Sequence, residues 1–247
     1  WRWNADYLPT VEEVRKREFE NLSYLTAYYF SDPSKVVQLE SEQVPSVNIP
    51  DKLQGDYILS SSDKAYRVLR QWETNPHSDI YKVNVRTGEN ELIRQDATSS
   101  SMLPSPSGRY YTFFGSLTQD WYLYDITTGE HRNLTQDLGV AFWNEDTDTP
   151  GLPRPYSSAQ WVESEEYFLI GDRYDLWQFD PKGEKAPFMF TEGLGKATNN
   201  QFRIARPVHD PKAKRGRFGA AGSPLKLNEP VYFSSFNRSQ RGNCYPE

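Results

Sequence analysis

The chain has 247 residues, 36% of them apolar and 15% aromatic, and carries a formal charge of −6. That length admits one large β domain or two smaller ones with a substantial core, and an acidic balance excludes a general nucleic-acid binder. With a mean hydropathy of −0.80 and no apolar run longer than Tyr24–Phe30, no segment reads as a membrane-spanning helix. The lone Cys244 excludes an intrachain disulfide framework. The chain opens at Trp1, with neither an initiator Met nor a signal peptide, and reads as an excised piece of a longer protein.

One stretch reads as a helix. Thr10 and Glu13 have the spacing of a capping box, in which hydroxyl and carboxylate satisfy each other's end-of-helix amides. Val11, Val14, Glu18 and Leu22 follow at helical spacing; Glu18 interrupts the apolar stripe and Phe19 restores it, so one short helix is expected near residues 11–20. After Tyr24 the expectation is strands and turns only.

Repetition is the informative signal. Ile80-Tyr-Lys-Val-Asn-Val-Arg-Thr-Gly88, Trp121-Tyr-Leu-Tyr-Asp-Ile-Thr-Thr-Gly129 and Leu176-Trp-Gln-Phe-Asp-Pro-Lys-Gly183 each run an apolar-aromatic strand into a tight turn, and Ala27–Ser34 is a weaker copy. Their turns, at residues 34, 88, 129 and 183, recur at intervals of 54, 41 and 54. Upstream of three copies a polar turn (Gln54–Asp56, Pro104–Arg109, Glu163–Glu166) leads into another strand. The unit is therefore four antiparallel strands, A to D, and a period of roughly 40–50 residues suits propeller blades. The fold class expected is all-β: a single partial β-propeller segment over residues 1–247, of about four four-stranded antiparallel blades. A β-sandwich, whose hairpins also alternate apolar residues, is the competing architecture.

The connection Asp137–Ser158, punctuated by Gly139, Pro150, Gly151, Pro153 and Pro155, is long enough to suggest a functional or interface loop. The basic stretch Lys212–Arg217 reads as a solvated excursion between strands near Gln201–Val208 and Pro230–Phe236.

Chemistry is sparse. No Gly-x-Ser-x-Gly occurs: Ser116 and Ser223 follow glycines but lack the closing one, so no catalytic residue is assigned. His77, His131 and His209 are dispersed, without zinc-ligand spacing, and no Gly-rich phosphate loop is present; no metal or cofactor is expected. Glu145-Asp-Thr-Asp148 is a compact acidic group, open to calcium in principle but without EF-hand spacing, and reads rather as a solvated or Arg-paired loop. Asn21, Asn133 and Asn237 each begin an Asn-x-Ser/Thr triplet, a pattern short enough to arise by chance.

The run Trp161–Asp180 resembles a propeller blade of the prolyl oligopeptidase family of serine peptidases, nearest in character to its large bacterial members of dipeptidyl-peptidase type. Trp121–Thr135, the Asp146–Pro150 loop, Val231–Asn237 and the opening Trp1-Arg-Trp3 with its following helix support the resemblance, which covers nearly the whole chain. It implies a parent with an N-terminal propeller and a C-terminal α/β-hydrolase domain, which hydrolyses peptides and is exported to the periplasm or cell surface. The propeller would restrict access to the catalytic chamber. Glu165-Glu166 has the letters of the acidic pair that anchors a substrate amino terminus, but it falls in an A–B turn without a supporting helix, and that role is not carried over.

Two functions from different classes follow. One is a non-catalytic propeller segment of a serine peptidase, filtering peptide substrate and docking the hydrolase domain. The other is a self-standing propeller that binds protein or glycan through the loops of one face. A segment with open ends is also expected to self-associate. The candidate binding or interface residues are Glu145, Asp146, Asp148, Asp172, Arg173 and Asp175, because a B–C connection (Asp172–Asp175) and the D-to-A loop entering the same blade emerge on one face. Arg173 is read either as a clamp on the acidic loop or as a contact to peptide or hydrolase domain.

Overall fold

A computed structural model describes residues 5–20, 23–97, 99–205, 224–239 and 242–243. Expectations placed on Trp1-Arg-Trp3, the Phe19 side chain, Asn21, residues 206–208, His209, Lys212–Arg217, Ser223 and Cys244 lie outside what is described.

Helix α1 spans Pro9–Glu20. It begins two residues before the expected start, with the Leu8 carbonyl accepting from Val11 and Glu12 N–H. Proline is preorganised for a first helical position and has no N–H to leave orphaned there, so Thr10 lies inside the helix and the capping box is not its start. Strands β1 (Thr26–Tyr28) and β2 (Val36–Gln38) form a hairpin. Three four-stranded antiparallel meanders follow in strict chain order. The first holds β3 (Ser46–Asn48), β4 (Tyr57–Ser62), β5 (Ser78–Asn84) and β6 (Asn90–Ala97). The second holds β7 (Ser99–Pro104), β8 (Tyr110–Gly115), β9 (Asp120–Asp125) and β10 (His131–Asn133). The third holds β11 (Gln160–Trp161), β12 (Phe168–Gly171), β13 (Leu176–Phe179) and β14 (Phe188–Met189). A last sheet pairs β15 (Asn200–Ala205), β16 (Tyr232–Asn237) and β17 (Gly242–Asn243).

Three buried layers join these sheets, and they decide between sandwich and propeller. Val37 and the Ile58, Tyr81 and Val83 faces close the first layer, between the β1–β2 hairpin and the first meander. Leu59 and Ile80 meet Tyr111, Phe113 and Tyr124 in the second. Tyr110, Phe114 and Trp121 meet Trp161, Phe168 and Phe179 in the third. Neighbouring residues of one strand thus point into different layers, as side-chain alternation requires. A two-sheet sandwich has one such layer; a series of sheets covered on both faces is a partial β-propeller. Polar ties reinforce the seams. Buried Glu40 accepts from Leu25 and Val47 N–H, and the Tyr111 hydroxyl accepts from Leu59 N–H across the second layer.

The four repeated turns are all C–D hairpins, and an Asx turn recurs in them. Asp32 Oδ1 accepts from Ser34 N–H, Asn84 Oδ1 from Arg86, Asp125 Oδ1 from Thr127 and Asp180 Oδ1 from Lys182. The uneven repeat intervals have a structural cause as well. A 3-10 helix over Lys64–Gln71 interrupts the first B–C connection, and residues 134–159 separate the second and third meanders. That 3-10 helix and a short α2 (Leu194–Thr198) depart from the strands-only expectation. The first has no Gly or Pro to break it, and Asp63 pairs with Arg67 and Arg70 on successive turns. Among the described residues no helix is long and apolar enough to cross a membrane.

Gly88 and Gly129 occupy equivalent turn positions at φ of 78° and 77°. A Cβ on Gly88 would lie 2.7 Å from the Gln38 carbonyl oxygen and 3.3 Å from Val37 Cγ1, whereas one on Gly129 meets nothing within 4 Å. Gly129→Ala is expected to cost about 1–2 kcal/mol from the left-handed backbone alone. Gly88→Ala should cost clearly more, because a neighbouring backbone must move. Denaturant unfolding of the two variants checks the order; equal losses would mean that the Gly88 contact relaxes freely.

Candidate functional site

The B–C connection of the third meander is Asp172–Asp175, and both of its aspartates face inward. Asp172, 5% exposed, accepts from Tyr174 and Asp175 N–H through Oδ1 (2.6 Å each) and from Trp177 Nε1 through Oδ2 (2.9 Å). Asp175, 1% exposed, accepts from the Thr191 hydroxyl (2.7 Å) and from Gly195 (2.8 Å) and Lys196 (3.0 Å) N–H. One carboxylate builds the turn and the other ties the start of α2 to it. Both are held as structural acceptors.

Arg173 projects from the same turn toward the long loop. Its Nη2 donates to both Asp146 oxygens (2.9 and 3.1 Å), and its Nη1 lies 3.6 Å from Glu145 Oε2. Arg238, from the turn after β16, reaches the same Asp146 carboxylate. Glu145 is further held by Tyr156, whose hydroxyl accepts from Glu145 N–H (3.1 Å) and donates to its carboxylate (3.3 Å). Asp148 is exposed and has no ion pair among the described residues. Of the six sequence candidates, the structure brings Glu145, Asp146 and Arg173 together, buries Asp172 and Asp175 beneath them and leaves Asp148 apart. Two carboxylates occupied by guanidinium groups are not a calcium site, and among the described residues no three metal-ligating side chains gather.

The loop itself is a small hairpin. Trp143 bridges Pro155, Asn144 N–H donates to the Arg154 carbonyl, and Phe142 anchors it in the third layer. Its tip crosses to the first meander, where Asn75 Oδ1 accepts from Leu152 N–H (2.8 Å) and the Thr74 hydroxyl donates to the Pro150 carbonyl (3.3 Å). Gly151, at φ 122°, lies so close to Thr74 that a Cβ would approach its hydroxyl to 2.5 Å. Between these walls opens a polar cleft of about 710 Å³, lined by Thr74–Pro76, Ser116, Asn144 and much of 147–158. The sequence reading missed Thr74–Pro76, Ser116 and Arg154. The Asn75-Pro76 dipeptide, a turn signal, was the available clue to the first wall.

Two further groups support the cleft from behind. Arg203 donates to the Phe202 and Asp172 carbonyls (2.6 and 2.7 Å) and sits 5.9 Å from the Tyr156 ring. Burial lowers its pKa to about 10, so it is still charged at neutral pH. On the other wall His77 joins Asp96 (2.6 Å) and Glu73 (2.9 Å), with the Tyr66 ring tilted alongside at 5.7 Å and its hydroxyl donating to Asp79. The bond to Asp96 raises the His77 pKa above 6.5, against the opposing effect of burial, and Glu73 adds to the rise.

No family model and no curated protein matches the chain. Among solved structures it is similar to TolB from Acinetobacter baumannii, at 13% identity and a TM-score of 0.40 over 89% of this chain and 47% of that one. It is similar to a putative TolB from Agrobacterium tumefaciens (13%, TM-score 0.43, 90% and 73%). It is also similar to the β-propeller domain of the Trilobed protease from Pyrococcus furiosus (10%, TM-score 0.36, 78% and 53%). The chain spans about half the length of the first and third of these proteins. The propeller architecture rests on sheet order and inter-sheet packing, not on these likenesses.

Two measurements check the site. Exposed ion pairs are worth about 0.2–1 kcal/mol, so Asp146→Ala should change global stability by less than about 1 kcal/mol while loosening the loop. Proteolytic nicking within 144–153 should accelerate in Asp146→Ala and stay unchanged in Asp148→Ala. For His77, a raised folded-state pKa means stabilisation that is complete below about pH 6.5 and lost as pH rises through the folded value. The melting temperature should therefore fall as pH rises above about 6.5, and His77→Gln should flatten that part of the profile.

Proposed function

We propose that this chain is a non-catalytic β-propeller segment of a prolyl oligopeptidase-type serine peptidase, whose loop face bounds the chamber of an α/β-hydrolase domain and limits which peptides enter. The observation that carries the reading is the cleft. A loop from the second meander is pinned to the first meander by Asn75 and Thr74 and to the third by Arg173, so that one face presents a preformed polar opening. Clefts of this kind, positioned by a rigid scaffold, are where binding concentrates. The resemblance of Trp161–Asp180 and its companion segments supplies the family, and the family's export supplies a periplasmic or cell-surface setting.

The same reading extends to the end faces. Tyr28 and Val36 are cross-strand partners exposed on the outer side of the first hairpin, and Tyr232 and Phe236 share an exposed face of β16. In isolation these faces are expected to drive self-association, since inner meanders cover the equivalent surfaces with a neighbouring sheet.

The reading frame should continue into a domain with Gly-x-Ser-x-Gly, and a fluorophosphonate probe should label that serine and none in the 247-residue chain. Replacing 145–153 by a short Gly-Ser turn in the complete polypeptide should raise kcat/KM for long peptides relative to short ones. A stop codon soon after Glu247 would favour the self-standing binding module instead.

A further inference from the structure

The groups lining the cleft identify what it can hold. Among the residues that line it Arg154 is the one cation and none is a carboxylate. Arg154 is exposed, its carbonyl is engaged by Asn144, and its guanidinium has no partner among the described residues. Ser116 belongs to the same lining and, though its residue is only 4% exposed, makes no hydrogen bond among the described residues. Of the other polar side chains of the lining, Asn75 bonds Leu152, Thr74 bonds Pro150, Ser157 bonds Gly171, Thr147 bonds Asn144 and Asn144 bonds Asp146, whereas Thr149 and Ser158 make no side-chain hydrogen bond among the described residues. On the same loop Glu145 and Asp146 are held by Arg173, Arg238 and Tyr156, and Asp148, exposed and without an ion pair among the described residues, lies outside the lining.

We infer that the cleft binds an extended peptide by a carboxylate, with Arg154 as the charge partner and Ser116 as a hydrogen-bonding group. An Arg guanidinium pairs with carboxylate through two parallel N–H donors, which fixes orientation as well as charge. A saccharide acid is the other carboxylate-bearing chain to weigh, and the lining speaks against it. Sugar rings dock by stacking on aromatic faces, and this cleft offers a single aromatic ring, Tyr156, with the Arg203 guanidinium 5.9 Å from its centroid. The inference takes the peptide from the proposed function, but it concerns this chain alone and does not need a hydrolase domain to be tested.

Isothermal titration of the 247-residue chain with four probes decides the matter: N-acetyl-tetraalanine with a free carboxylate, its C-terminal amide, an amidated N-acetyl peptide with one aspartate, and trigalacturonate. The free-acid peptide should bind about tenfold more tightly than its amide, the size of one charge-assisted pair. The aspartyl amide tells whether a side-chain carboxylate serves as well as a terminal one. Arg154→Gln should bring acid and amide to the same affinity with an unchanged melting temperature, Arg154→Lys should restore part of the difference, and Ser116→Ala should weaken the acid. Equal binding of acid and amide by the wild-type chain, binding by none of the peptides, or tighter Arg154-dependent binding of trigalacturonate each overturns the inference. A reading frame that ends without a hydrolase domain would remove the proposed function and leave these results standing.

Discussion

Burial on both faces is the constraint from which this structure follows. A strand of an ordinary half-buried sheet alternates apolar and polar residues, but Tyr110 to Phe114 on β8 are buried one after another. Tyr110 and Phe114 enter one layer, Tyr111 and Phe113 the other. Each large side chain so buried contributes roughly 1.5–3 kcal/mol, and aromatic pairs such as Phe168 with Phe179, at 5.6 Å, add to that. Because each sheet supplies a wall to the sheet before and the sheet after, no meander is stable on its own surface, and the chain must lay them down in series.

Function is accommodated at the ends of the strands, where that constraint relaxes. The A–B turns on one side are drawn together by short-range ties. Ser107 N–H and hydroxyl meet the Glu165 carboxylate, Lys52 pairs with Glu163, and Gln54 N–H donates to the Ser107 carbonyl. Glu165 adopts φ 58° to make that contact, so the residue whose letters suggest a substrate-anchoring acid is a strap between turns. On the opposite side the first B–C connection and the 134–159 loop carry long insertions. There the ties span from the first meander to the third and enclose space rather than filling it.

The energetic scales of the two regions differ accordingly. Aromatic layers set the global stability, while the loop is held by a few exposed ion pairs and hydrogen bonds of about 1 kcal/mol or less each. A face built this way can open locally without unfolding the sheets beneath it, a property suited to a rim that must admit ligands.

The sheets were legible because their cause is local. The Asn or Asp that enters each C–D turn and the glycine that leaves three of them are dictated by backbone geometry within six residues, so Asn84 to Gly88 and Asp125 to Gly129 declare themselves in sequence. The nearness of Arg173 to Glu145 and Asp146 was legible too, since blade topology alone sends both segments to one face. The start of α1 was not, because Thr10 and Glu13 mimic a cap that Pro9 pre-empts. Nor was the 3-10 helix, which starts without a side-chain cap and buries none of its residues. What only the tertiary structure decided is how distant residues are used: that Asp172 and Asp175 turn inward, that Asn75 receives a loop 77 residues further along, and that Arg154 has no partner among the described residues. Those outcomes depend on which surfaces the packed sheets bring within hydrogen-bonding distance, and no pattern confined to one segment encodes that distance.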